Sequence, residues 1–334
     1  MKGKKVRSNC HKPHLIEQVI KDLKKTNLEV TDEGNIEDFL GLNIESKEGK
    51  IKLSQPHLIG QVIKDLGLNQ DKVLSKPIPA ASSKILFAHK ESQTFDNSFH
   101  YRSVIGKLNY LEKSCRPEIA YIVHQCAIFS TYTRKEHGQA LRWLGKYLKD
   151  NINKATTLQP EKNRGLEVWV DADFAGNWNR SESEDIDTSR SRHGYVIMYE
   201  GCTILHKYQL QTEIVLSCTE SEYTGLYYAL REAIPIMRLL REFKERGFTS
   251  EEPTTKIYCK FYENNSGALE MAKEYKYRPR TNVLNIKLHQ FRDYVERGEV
   301  TIRKVLIHDQ RANNLTKSLD EVTHKKHRKK VQGW

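Results

Sequence analysis

The chain has 334 residues, 38% hydrophobic and 9% aromatic, which fits packed globular structure and excludes a disordered polyelectrolyte. That length allows two domains, each burying its own core. A formal net charge of +12 favours a polyanionic partner, nucleic acid first, over the plainer alternative of a solvated surface of mixed charge. The longest apolar run, "IAYIVHQCAIF", is interrupted by His124 and Gln125 and is too short to cross a bilayer, so no membrane partner is expected. The basic start "MKGKKVRSNCHK" has no apolar segment behind it, which argues against a secretory signal. Cys10, Cys115, Cys126, Cys202, Cys218 and Cys259 form neither a CxxC pair nor a zinc spacing. They read as reduced thiols of an intracellular protein, cytoplasmic with a nuclear option.

In chain order, Leu15, Ile16, Val19, Ile20 and Leu23 have helical spacing. A turn, "TDEGN", leads to a strand "DFLGLNIES" and its hairpin partner "GKIKLSQ". The segment "PHLIEQVIKDL" (13–23) then returns as "PHLIGQVIKDL" (56–66), with only Glu17 against Gly60 differing. A short duplication and a chance likeness between amphipathic helices both account for it. Residues 75–100 are Pro-, Ser- and Lys-rich and read as an extended connector. Helices follow at "RPEIAYIVHQCAIFS", with Pro117 in its first turn, and at "HGQALRWLGKYLKD". On the latter, Arg142, Lys146 and Lys149 share one face, either simply solvated or a stripe for backbone phosphates.

The second half opens with strands "LEVWVDADF", "HGYVIMYEG" and "CTILHKYQ". A long helix follows from about Thr219 to Arg246, interrupted by Pro235, and then alternating strands and helices to "ANNLTKSL". This is a mixed α/β pattern. The expected divisions are 1–74, 75–150, 165–320 and a basic tail, 321–334, whose "HKKHRKK" reads as solvated. Within the first of these strands, Asp171 stands where an apolar face should continue. An aspartate there is ordinarily a turn residue; the alternative is a metal or acid–base carboxylate on a rigid element.

Nine short motifs bear on that choice: "DFLGLNI", "KLSQPHLI", "YRSVIGKLNYL", "CRPEIAY", "VDADFAGNW", "SRSRHGYV", "LSCTESEY", "NNSGALEMA" and "TKSL". Together and in this order they resemble the C-terminal part of the Pol polyprotein of copia-type LTR retrotransposons, from the end of the reverse transcriptase through the ribonuclease H domain. The resemblance implies a ribonuclease H-like mixed sheet with flanking helices, preceded by a smaller α+β reverse-transcriptase tail. The Tyr-x-Asp-Asp turn of the family's polymerase palm is missing, so no polymerase activity is expected.

The family cuts the RNA strand of RNA–DNA hybrids with two Mg²⁺ ions, which take hard oxygen ligands. The resemblance puts the first carboxylate at Asp171 and the second at Glu222, both metal ligands. Thr219-x-x-Glu222 is also a capping box, but Ser217-x-x-Glu220 can cap the helix instead. Asp173 and Glu220 read as neighbours. The third position, counted back from "GALEMA", falls on Asn264; strand alternation is expected to turn the adjacent Glu263 the other way. The fourth, in "ANNLTK", falls on Asn313, and "RTNVLN" also departs from the family pattern. With amides at two of four catalytic positions the site charge falls from about −4 to about −2, which disfavours filling two metal sites. Impaired catalysis is therefore expected. The remaining possibilities are a non-catalytic module for RNA–DNA hybrid or other nucleic acid, a piece working with the rest of a reverse transcriptase, and an inert copy.

Overall fold

The computed structural model describes residues 4–6, 13–25, 30–32, 37–70, 74–81, 86–87, 92–178, 180, 186–247, 257–273 and 285–334. The "TDEGN" turn, Cys10 and most of "RTNVLN" lie largely or wholly outside these.

Strand β1 (Lys4–Val6) pairs in parallel with β2 (Val30–Asp32), and α1 (Pro13–Lys24) lies between them in sequence. The stretch "DFLGLNIES", expected as one strand, is two: β3 (Asp38–Phe39) and β4 (Leu42–Lys47) pair antiparallel. Leu40 and Gly41, at φ 53° and 76°, reverse the chain between them, as a two-residue hairpin turn requires. Strand β5 (Lys50–Ser54) continues the meander, followed by α2 (Pro56–Asp65), α3 (Tyr101–Cys115), α4 (Ala120–Ile128) and α5 (Lys135–Asp150). Strand β6 (Thr156–Leu158) then comes back to pair with β5.

One core runs through this half, joining Ile59 and Val62 of α2 to Leu108 of α3, Val123 of α4 and Leu144 of α5. Residues on both sides of position 74 share it. The repeated segments are both helical but differ in burial. Helix α2 buries Ile59, Val62 and Ile63, whereas among the described side chains of α1 only Ile20 is buried. Identical amphipathic patterns permit burial; the surrounding elements decide it.

The second sheet is built from β7 (Leu166–Asp173), then, after the short α6 (Ile186–Ser189), β8 (Arg192–Tyr199) and β9 (Cys202–Leu210). Helix α7 (Cys218–Glu245) crosses to β10 (Cys259–Glu263). Helices α8 (Ser266–Lys273) and α9 (Asn285–Glu296) precede β11 (Val300–Lys304). Two helices close the chain, α10 (Asn313–Thr316) and α11 (Glu321–Gln332). The strand order is β11-β10-β7-β8-β9, with β7, β8 and β9 antiparallel and β10 and β11 parallel to β7. This is the mixed sheet with flanking helices that the resemblance implied.

Leu166, Val168 and Val170 face the core under α7, α8 and α9, with Leu226, Leu230, Phe261 and Phe291. Each such side chain stabilises the fold by roughly 1.5–3 kcal/mol relative to exposure. Trp169 points to the opposite face, into a second core with Val196, Leu315 and Val331. The basic C-terminus is not a solvated tail. Helix α11 is capped by Asp320 and docks beside β6 and β9, burying His324, His327, Val331 and Gln332. Its lysines stay outside while its imidazoles and one amide go in, so hydrophobic spacing alone does not reveal it.

Candidate active site

Alternation along β7 carries Asp171 to the same face as Trp169, at the end of a central strand, where it is fully buried. A turn aspartate would be solvated. Instead Asp171 is opposite Gly194 in the register, and α10 lies directly on that glycine: a Cβ there would meet Thr316 Cγ2 at 2.8 Å. The close approach sets Thr316 and Lys317 over the carboxylate. The Thr316 hydroxyl donates to Asp171 Oδ2, and Lys317 Nζ donates to Oδ1 at 3.1 Å. Burial works against the Lys317 ammonium, but Asp171, with Glu222 and Asp173 adding to it, offsets this and the lysine is held above its usual range.

Glu222 comes from the first turns of α7. That helix is capped by Ser217, whose Oγ accepts from the Glu220 N–H at 3.2 Å, while Glu220 accepts from the Leu216 N–H at 2.7 Å. Glu222 therefore has no capping duty. One turn on, Gly225 lets α7 press against β7, since a Cβ there would stand 3.1 Å from Val170 Cγ1. Glu222 is thereby buried near Asp171, with its Oε2 lacking any hydrogen-bond partner. Burial raises its carboxyl well above the usual range, Glu263 and Asp171 push further the same way, and Lys317 and the Ala172 N–H oppose them.

A third buried carboxylate nearby is Glu263, next to Asn264, the position expected from the motif. Alternation does separate the two, but Cys259, Phe261 and Glu263 form the inward face of β10, and that face looks toward α7. Glu263 is fully buried, accepts from the N–H groups of Asn264 at 2.9 Å and Asn265 at 2.8 Å, and leaves Oε2 without a partner. Burial pushes its carboxyl up to about 8, Asp171 adds to this, and the two N–H donors pull against it. Asn264 is half-buried, and its amide oxygen accepts from Gln310 at 3.4 Å. The inward signal was in the sequence, because apolar Cys259 and Phe261 already place the odd positions of this strand inside.

Gln310 was not anticipated at all. It is fully buried, and its Nε2 donates to the carbonyls of Val170 at 2.7 Å and Tyr262 at 3.3 Å. It thus ties together the ends of β7 and β10, just before Asp171 and Glu263.

Asn313, at the start of α10, is buried; its Nδ2 donates to Ile307 O at 2.6 Å and its Oδ1 accepts from Lys317 at 3.3 Å. It reaches the site through Lys317. Asp173 lies over the following turn, where a Cβ on Gly176 would strike its carboxylate. The stripe of Arg142, Lys146 and Lys149 lies on α5, yet two of its members are engaged internally. Arg142 donates to Ser98 Oγ at 2.8 Å, and Lys149 to Leu68 O at 3.0 Å and Gln70 O at 2.6 Å.

Three carboxylates from three elements, two of them with an orphaned oxygen, form a donor set chemically suited to a hard cation such as Mg²⁺. The set is not closed: among the described residues no three acidic, histidine or cysteine side chains stand close enough to hold a metal as placed. Lys317 is hydrogen-bonded to one of its members, Asp171.

No family model matches the chain. It is 28% identical over 308 residues to the retrovirus-related Pol polyprotein from transposon TNT 1-94 of Nicotiana tabacum, across 91% of this chain and 22% of that protein. It is also 28% identical to the Pol polyprotein from transposon RE1 of Arabidopsis thaliana, across 92% of this chain and 20% of the relative. The chain therefore spans only a small part of the length of these relatives. Among solved structures, the N-terminal RNase H domain of a Mycobacterium tuberculosis protein aligns with 48% of this chain and 97% of that domain, at 11% identity and a TM-score of 0.32. No helix among the described residues is long and apolar enough to cross a membrane. The chain is thus similar to the retrovirus-related Pol polyproteins of plant transposons, and its mixed sheet with flanking helices is the fold expected from that likeness.

Proposed function

We propose that the protein hydrolyses the RNA strand of RNA–DNA hybrids through Asp171, Glu222 and Glu263, at a rate reduced by the amide at Asn313. What carries this reading is the burial of three like-charged carboxylates with two unpartnered oxygens at the ends of β7 and β10. A fold keeps such an arrangement against its own stability chiefly where the charge is used. Mg²⁺ bound there would activate a water and stabilise the leaving oxygen in an in-line displacement.

The chain's own part is to hold the carboxylates. The Thr316 hydroxyl orients Asp171, the Asn264 and Asn265 N–H groups orient Glu263, and Gln310 fixes the separation of the strands that bear them. With Glu263 counted, the formal charge is about −3, closer to a full set than two amides would leave it. The remaining loss, at Asn313, corresponds to ~10–100-fold in metal affinity or rate. The substrate assignment and any association with the rest of a reverse transcriptase come from kinship alone. A non-catalytic hybrid-binding module is the competing reading, and the engagement of Asp171 by Lys317 is the observation in its favour.

The test is cleavage of end-labelled RNA in a hybrid, with single-stranded RNA and duplex DNA as controls, in Mg²⁺ and in Mn²⁺. Metal-dependent, hybrid-selective cutting that Asp171→Asn removes supports the proposal. Hybrid binding without cutting by the folded protein in either metal overturns it.

A further inference from the structure

Lys317 is hydrogen-bonded to Asp171, and its placement has consequences for what else can bind there. Its Nζ lies 3.1 Å from each oxygen of Asp171 and 3.3 Å from Asn313 Oδ1. Mg²⁺ binds oxygens at about 2.0–2.1 Å and demands near-octahedral geometry, so it cannot share both Asp171 oxygens with an ammonium bridging them. Glu222 Oε2 and Glu263 Oε2 have no hydrogen-bond partner.

We infer that Lys317 is a resident counter-cation that competes with the metal for Asp171, and that it must swing away before the site can load. This rests on the metal-binding reading proposed above. The swing is feasible because the Lys317 side chain is 38% exposed, on a flexible four-carbon stem at the end of α10. The amide at Asn313 strengthens the competition. Lys317 follows it by four residues, the spacing at which an acid and a lysine pair along a helix, but an amide carries no charge to draw the ammonium off Asp171.

The experiment is Mn²⁺ binding to the metal-stripped full chain, by electron paramagnetic resonance and by calorimetry, for the parent protein, Lys317→Met, Lys317→Gln and Asp171→Asn. Lys317→Gln keeps a hydrogen-bond donor to Asp171 without the charge, and circular dichroism checks that each variant is folded. Tightening of at least tenfold in both lysine variants supports the inference. If the parent binds Mn²⁺, Asp171→Asn abolishes binding and neither lysine variant tightens it, competition is refuted while the metal site stands. Weaker binding in the lysine variants would make Lys317 a helper of the metal and also overturn the proposal. If no protein binds Mn²⁺ saturably, the metal-binding reading fails and this inference falls with it.

Discussion

Two clusters of buried charge in this molecule are built on opposite terms. In the helical half, Glu118 is nearly inaccessible, yet both its oxygens have donors: Arg116 Nε at 2.6 Å, Gln332 Nε2 at 2.7 Å and the Tyr147 hydroxyl at 3.4 Å. Arg116 also donates to Asn151 O at 3.0 Å and lies over the Trp334 ring, so this node fastens α11 to the helices. In the second sheet, three carboxylates face one ammonium, and Glu222 and Glu263 each keep an oxygen with no partner. Burial of charge is common to both. Uncompensated like charge is what separates a site from a brace.

Breaking the brace should give the largest effect. Arg116→Met strands the Glu118 carboxylate in the interior, and urea unfolding should show a loss of about 3–5 kcal/mol. A loss under about 1 kcal/mol would mean that the node is not holding the halves together. Glu222→Gln should behave in the contrary way: hybrid cleavage should fall about 100-fold or more while unfolding free energy holds or rises, because a repelling charge has been removed. A variant that loses both activity and stability would mark Glu222 as structural.

Acid and alkali should draw the same distinction between another buried carboxylate, Glu112 of α3, which has imidazole partners, and Glu263. Burial alone would raise the Glu112 carboxyl, but the imidazoles of His124 and His206 beside it hold it down to about 2. Its stabilisation is present above the ordinary value of 4.5 and is lost as pH falls from there through about 2. Glu263 has the opposite sign. With its carboxyl raised to about 8, the folded state binds more protons than the unfolded one above 4.5, so stability falls as pH climbs through about 8. Glu112→Gln should flatten the acid limb of a stability profile, and Glu263→Gln the limb from pH 5 to 8. Finding the same limb altered in both would erase the distinction. The smallest effect expected is a gain: Asn313→Asp should raise cleavage about tenfold, by adding the missing charge and by drawing Lys317 toward its own helix. No gain in the folded variant would place the limit elsewhere.

Much of this was legible before any coordinates. The interrupted alternation at Asp171 and the spare capping box beside Glu222 only raised the question of a site; the motifs of the resemblance supplied both residues. Positions 263 and 264 are the hardest to tell apart, because counting along a motif has one-residue precision at best, and in a strand one residue is the whole difference between faces. The burial rhythm of Cys259 and Phe261 favours Glu263. Lys317 and Gln310 gave no local signal, since each acts on residues some 140 positions away. Helix α11 was hidden because its buried positions are mostly His324, His327 and Gln332 rather than aliphatic residues. The repeated helices carry the converse lesson, because α1 and α2 share a pattern and differ in burial.

The account depends most on Glu263, rather than its neighbour, completing the carboxylate cluster. Initial rates of Mg²⁺-dependent cleavage of a labelled RNA–DNA hybrid, compared among the parent chain, Glu263→Gln and Asn264→Ala, address this directly. Glu263→Gln should abolish cleavage in a folded protein while Asn264→Ala retains most of it. Loss of activity in Asn264→Ala, with Glu263→Gln still cutting at the parental rate, would contradict the assignment.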